Sequence, residues 1–122
     1  MPTISVTDGP SFEAPADKRL TLALEDNGID ILHRCGGYAK CTTCRVNIVD
    51  NEPEKMTVAE KERLEQGNLL GEVRLSCQLL CDHDMTVEVL MRLSNTDLDD
   101  AGPRLQDEIT PEPVWTEAPE QG

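Results

Sequence analysis

Four cysteines are the residues of this chain best suited to chemistry. Three stand in the run Cys35-Gly-Gly-Tyr-Ala-Lys-Cys41-Thr-Thr-Cys44, and a fourth follows in Arg74-Leu-Ser-Cys77-Gln. Thiolate is soft enough to bind iron strongly, and two ferric ions bridged by two sulfides need four terminal ligands. Three ligands on one tight loop fix most of the geometry locally. The fourth, from a distant segment, ties that loop to the rest of the domain. The C-x5-C-x2-C spacing with a distant fourth cysteine therefore suits a 2Fe-2S cluster. Gly36 and Gly37 allow positive φ and close approach of the backbone, Thr42 and Thr43 offer small hydroxyl donors, and Tyr38 could screen one side from water.

Other uses of these cysteines fit less well. Structural zinc favours two C-x2-C pairs, and only Cys41 and Cys44 form one. A C-x-x-C redox dithiol belongs in a thioredoxin-like βαβ context, which is missing. A Rieske centre needs two histidine ligands; Cys81-Asp-His83 has a C-x-H look, but no C-x-x-H partner exists and His33 is badly placed. Both histidines read as surface or loop residues. Cys81 is a fifth, spare thiol and reads as a small buried hydrophobe.

The 122 residues carry 24 acidic against 11 basic side chains, a formal charge of −13. That balance argues against nucleic acid and anionic membranes as partners. No apolar run is long enough to span a bilayer, and the start, Met-Pro-Thr-Ile-Ser-Val-Thr, lacks the regions of a signal peptide. An odd cysteine count without a secretion signal favours metal-ligating thiols over a disulfide scaffold, and a cytoplasmic setting. With 2% aromatic residues the core is small, so a metal pinning a long loop would add stability.

The elements that must position the cysteines follow from periodicity. Ile4 and Val6 alternate in a first strand, Asp8-Gly9-Pro10 turns the chain, and Ser11 to Ala14 returns antiparallel. Asp17 is placed to N-cap a helix that buries Leu20, Ala23 and Leu24 and ends at Gly28. Ile29 to Leu32 leads into the cysteine loop. Arg45 to Val49 alternates again, Thr57-Val-Ala-Glu60 forms a capping box for a short charged helix closed by Gly67, and Val73 to Leu75 and Met85 to Leu90 are further strands. Such an order predicts an α+β domain over residues 1–93. From 94 to 122 the chain reads as an acidic, Pro-containing, solvated tail, with Trp115 as the one residue suited to anchor it.

These segments together resemble the 2Fe-2S ferredoxins of the β-grasp fold. The cysteine spacing is similar to the adrenodoxin and putidaredoxin branch, and so are Leu-Glu-Asp-Asn-Gly-Ile-Asp-Ile before the loop, Arg-Leu-Ser-Cys77-Gln and Asp-Met-Thr-Val-Glu-Val. The resemblance implies a mixed sheet with a helix packed across it and the cluster loop at one end. It implies Cys35, Cys41, Cys44 and Cys77 as ligands. It also implies that the helix from Thr57 to Gln66 meets redox partners through Glu60, Glu62 and Glu65. The Cys-Gly-Gly start and Cys-Thr-Thr-Cys-Arg-Val are similar as well to ferredoxin-like domains fused to other enzymes.

The function expected on these grounds is one-electron transfer, not catalysis. A monomeric carrier would take an electron from a ferredoxin reductase or photosynthetic donor and give it to an acceptor redox enzyme. Four thiolates leave a net negative core, and an acidic protein makes reduction harder still, so a low potential near about −400 mV is expected. A redox-sensing, regulatory or iron-sulfur assembly module is the alternative.

Overall fold

The computed structural model describes residues 2–7, 9–34, 36–39, 42–51, 53–93, 102, 104–110 and 112–117. In chain order the elements are β1 (Thr3–Val6), β2 (Ser11–Glu13), α1 (Leu20–Asp26), β3 (Arg45–Asp50), β4 (Lys55–Thr57), α2 (Val58–Gln66), β5 (Arg74–Leu75), β6 (Met85–Val89) and β7 (Trp115–Glu117). A single 3-10 turn, Ser76–Gln78, follows β5.

Alternation builds the main sheet. Ile4 and Val6, Val46 and Ile48, and Met85, Val87 and Val89 all point into one core, where Leu20, Ala23 and Leu24 of α1 cover them. The strands run in the order β2-β1-β6-β3-β5. β1 lies parallel to β6, and the other pairs are antiparallel. This is the expected α+β fold with a mixed sheet and a helix across it. A second, smaller core lies under the cysteine loop and collects Leu22, Met56, Leu64, Leu75, Cys44 and Cys77.

The start of α1 differs from expectation. Its N-cap is Arg19, with no side-chain capping bond, rather than Asp17. Lys18 and Arg19 are held extended by the segment after the 3-10 turn: the Cys81 N–H donates to the Lys18 carbonyl at 2.9 Å, and the Leu20 N–H to the Leu79 carbonyl at 2.8 Å. Tertiary pairing therefore overrides the local cap. Gly28, at φ +87°, lets the chain leave the helix as expected.

Nor is the acidic C-terminal stretch wholly solvated. Leu105 and Ile109 are buried, the Val58 N–H donates to the Val114 carbonyl, and β7 pairs with β4, Thr57 opposite Trp115. The acids of this stretch face water while its few apolar residues fill gaps, a division that composition hides. Trp115 itself is 44% exposed and is held through its backbone strand.

Glu60 is the clearest correction. Expected on the docking face of α2, it is fully buried and bonded to Arg74, Oε2 to Nε at 2.9 Å and Oε1 to Nη2 at 3.3 Å. The Leu75 N–H donates to the same carboxylate at 2.9 Å. Thr57 accepts from the Glu60 N–H as a cap should, but the Glu60 side chain does not reach back. It ties α2 to β5 instead. Arg74 also donates to the carbonyls of Pro53 and Lys55.

His83 bridges two turns, with Nε2 2.7 Å from the Asn51 carbonyl and Nδ1 2.7 Å from Asp82. Burial favours neutral imidazole, but the Asn51 carbonyl and Asp82 carboxylate outweigh it and raise the pKa above the ordinary 6.5.

Two expectations follow. Arg74→Gln leaves a buried carboxylate unpaired and should cost about 3–5 kcal/mol in urea unfolding; a loss under about 1 kcal/mol contradicts the buried-pair account. His83 has the higher pKa in the folded state, so its stabilisation is complete below about 6.5 and fades as pH rises through the folded value. An NMR titration midpoint above 6.5 and a His83→Gln penalty larger at pH 6 than at pH 9 would agree.

Candidate metal centre

The cysteine loop is entered and left along strictly held backbone. On the entry side, the Leu32 N–H donates to Met91 and the Leu93 N–H to Asp30. On the exit side, Arg45 pairs with Leu75 and Val46 with Arg74. That second pairing delivers the fourth cysteine. The Ser76 N–H donates to the Cys44 carbonyl at 3.1 Å and its Oγ to the same oxygen at 2.8 Å. Cys44 and Cys77 are both buried and share the smaller core. Cys35 and Cys41 lie outside the described residues.

Between them the loop turns through positive φ at Gly36 (72°), Gly37 (90°) and Ala39 (58°). The two glycines match expectation. Gly37 has a second reason to lack a side chain: a Cβ there would lie 2.5 Å from both Arg19 Nη2 and Leu105 Cγ. Thr42 and Thr43 serve the loop rather than standing open. Arg45 donates to the Thr42 carbonyl and hydroxyl at 2.9 and 2.5 Å, and the Arg34 N–H to the Thr43 hydroxyl at 3.0 Å. Tyr38 is 40% exposed, and its hydroxyl accepts from Gln106 at 3.0 Å.

Two residues that sequence reasoning passed over stand at this centre. Gln78 Nε2 is 3.6 Å from Cys77 Sγ and donates to the carbonyls of Thr110 at 2.8 Å and Gly37 at 3.2 Å. Its own carbonyl accepts from the Thr57 hydroxyl at 2.7 Å, which links the N-terminus of α2 to the sulfur. Arg19 donates from Nε and Nη2 to the Cys77 carbonyl at 2.9 and 2.7 Å. Position next to Cys77 was the available signal for Gln78; Arg19 offered none, because its targets are distant in sequence.

Cys81 belongs elsewhere. It is buried in the larger core, and burial, then the neighbouring Asp82, pushes its thiol up to about 12. Such a thiol is inert, which bears out its reading as a small hydrophobe. His33, expected as a surface or loop residue, lies in the loop after Leu32, where it is buried and bonded to Glu25.

On the outer side, Glu62 and Glu65 are exposed. Glu62 shares a shallow depression with Tyr38 and Ala39 of the loop and with Arg63 and Gln66. The acidic helix face thus adjoins the cysteine loop.

The sequence profile of the 2Fe-2S iron-sulfur cluster binding domain matches residues 6–82. The chain belongs to this family. It is 38% identical over 99 residues to a component of the Na(+)-translocating NADH-quinone reductase of Chlamydia caviae, a match covering 75% of this chain and 22% of that protein. The chain thus spans about a fifth of the length of the curated relatives it matches. Among solved structures it is similar to the ISC-like 2Fe-2S ferredoxin of Pseudomonas putida, with a TM-score of 0.60 and 24% identity over 74% of this chain and 93% of that one. It is also similar to a chain of the covalent putidaredoxin reductase–putidaredoxin complex, with a TM-score of 0.54 and 30% identity over 74% and 97%.

The cofactor of this family is the 2Fe-2S cluster. The described residues fit it: two soft donors from sequence-distant segments are buried in one core, an amide donor lies at one sulfur, and the loop has no space for a side chain at Gly37. This is a small 2Fe-2S ferredoxin domain, similar in structure to electron-carrier ferredoxins.

The crowding at Gly37 yields a direct check. Gly37→Ala combines a strained φ with contacts near 2.5 Å, so the variant should lose its cluster to a chelator at least about tenfold faster than the parent. Cluster loss at the parental rate, followed by visible absorbance, would contradict the close approach.

Proposed function

We infer that the domain is a one-electron carrier whose cluster is held by Cys35, Cys41, Cys44 and Cys77. The observation that carries this reading is the meeting of Cys44 and Cys77 in one core through the bonds of Ser76 to the Cys44 carbonyl. When bound, the cluster supplies a one-electron couple, and four-thiolate ligation leaves no open iron position. The chain's own residues do the rest. Ser76 and Arg45 fix the ligand segments, Gln78 directs an amide N–H at a ligand sulfur, and the smaller core keeps water from the inner face.

Donor and acceptor meet the domain at the outer face, where Tyr38 and Ala39 adjoin Glu62. We assign docking to Glu62 and Glu65 and to partners with a basic patch, a reductase on one side and an acceptor redox enzyme on the other. Glu60 plays no part in that face. Encounters of this kind are small and electrostatically steered, and they slow as salt rises. Among the described residues no helix is long and apolar enough to cross a membrane. The free thiol of Cys81 suits a reducing compartment such as the cytoplasm.

A second reading is favoured by the match to a much longer reductase protein: the same domain would carry electrons within a larger NADH-linked assembly. A sensing or assembly role differs from both, because it needs no turnover with any reductase.

The first measurement is a visible spectrum with iron and sulfide analysis on anaerobically purified protein; a colourless protein sinks the cluster assignment. With the cluster confirmed, Glu62→Lys together with Glu65→Lys should slow association with an NAD(P)H-linked reductase about tenfold at low salt, and the deficit should shrink as salt is added. Unchanged kinetics at every salt concentration would remove the docking assignment.

A further inference from the structure

Arg19 belongs to neither the ligands nor the docking face, yet its fully buried guanidinium touches three separate segments of the centre. Nε and Nη2 donate to the Cys77 carbonyl, and Nη2 donates to the Gly37 carbonyl at 2.7 Å. Nη1 points the other way, to the carbonyls of Gln106 and Glu108, each at 3.0 Å, and to the Thr110 hydroxyl at 3.5 Å. All these acceptors are uncharged. One cation thus joins the cysteine loop, the fourth-cysteine segment and the C-terminal stretch.

That stretch lies close over the loop. Leu105 packs at Gly37, Gln106 bonds Tyr38, and a Cβ at Gly102 would lie 2.4 Å from the His33 carbonyl. Thr110 also bonds Gly37, its hydroxyl donating to the carbonyl at 3.1 Å. Arg104 anchors one end on Glu25 and Asp26, and β7 anchors the other on β4.

A guanidinium stays charged under all ordinary conditions. Away from water its field acts at low dielectric on whatever charge develops nearby. Net charge, hydrogen bonding and solvent exposure are the levers a protein has on a cluster's potential. Here two of them oppose each other. A buried cation favours the reduced, more negative state, whereas exclusion of water disfavours it.

We propose that Arg19 raises the reduction potential of the centre and at the same time latches residues 104–110 and 112–117 over it as a water-excluding strap. Arg19 is a positioning and charge-setting residue, not a ligand. The proposal rests on the ferredoxin reading, and the experiment separates the two.

The full chain is purified with its cluster, and the midpoint is read by voltammetry. Tryptic cleavage of the Arg104–Leu105 bond, followed by mass spectrometry, reports the strap. Arg19→Gln removes the charge and also loosens the strap, so its midpoint should lie about 59 mV, a tenfold shift toward the oxidised state, below that of Leu105→Ala, which loosens the strap alone. Arg19→Lys keeps the charge and loses the fork; it should be cut faster than the parent and match the Leu105→Ala midpoint to within about threefold. Leu105→Ala leaves Arg19 in place, and it should be cut at least about tenfold faster with a midpoint moved upward. An Arg19→Gln protein with an intact spectrum and the same midpoint as Leu105→Ala overturns the proposal. So does an Arg19→Lys midpoint as low as that of Arg19→Gln. If Arg19→Gln holds no cluster, Leu105→Ala decides: parental cleavage and midpoint overturn the latch, and faster cleavage with a raised midpoint supports it. A colourless parent would instead sink the ferredoxin reading, and the cleavage rates would still test the strap.

Discussion

The antiparallel pairing of Arg45 with Leu75 is the constraint on which the rest of the structure depends. Cys44 precedes one of these residues and Cys77 follows the other by two, so a single strand register decides whether these two cysteines meet. β5 is only two residues long and could not hold register on its own ladder bonds. Ser76 extends it with two bonds to the Cys44 carbonyl, and Glu60 extends it sideways by accepting from the Leu75 N–H while gripping Arg74. A one-residue slip would turn Leu75 out of the core and unmake both contacts.

Burying charge to hold so short a strand has a physical logic. The aliphatic core is small, and its second half must leave room for the cysteine loop. A bidentate Arg–carboxylate pair gives direction as well as attraction, which packing of Leu and Val does not. Arg19 and Arg74 act in parallel ways: each is buried, and each gathers backbone carbonyls from segments distant in sequence. A buried carbonyl left without any donor costs about 1–3 kcal/mol. The irregular loop around the centre is thus satisfied by side chains where a sheet would satisfy itself.

What the sequence disclosed divides along the same line. Period-two alternation located Ile4 and Val6, Val46 and Ile48, and Met85 to Val89, because each of those strands buries one face. The loop glycines were legible from the needs of a tight turn. Asp17 misled because local capping chemistry was overridden by pairing of Lys18 with Cys81, a contact the sequence does not advertise. Glu60 misled for a related reason. In the motif Thr57-Val-Ala-Glu60 it looks like half of a capping box on an exposed helix, and only the position of Arg74, on a strand reached through the tertiary fold, draws it inward. The acidic C-terminal stretch hid its strand because β7 pairs with β4, a partner far upstream that carries no strong pattern of its own.

The inward cations alter what a partner meets. A formal charge of −13 counts every side chain alike, but an arginine enclosed among carbonyls neutralises little at the surface, and its field acts mainly within the fold. Arg19 and Arg74 are withdrawn in this way, while Glu62 and Glu65 remain outside. Among the described residues, Glu60 is the acid withdrawn with them. The exterior is therefore more acidic relative to the interior than the sequence total suggests. On the functions proposed above, the fold separates two tasks that pull against each other: a negative surface that draws basic partners, and a buried Arg19 that offsets the penalty such a surface imposes on adding an electron.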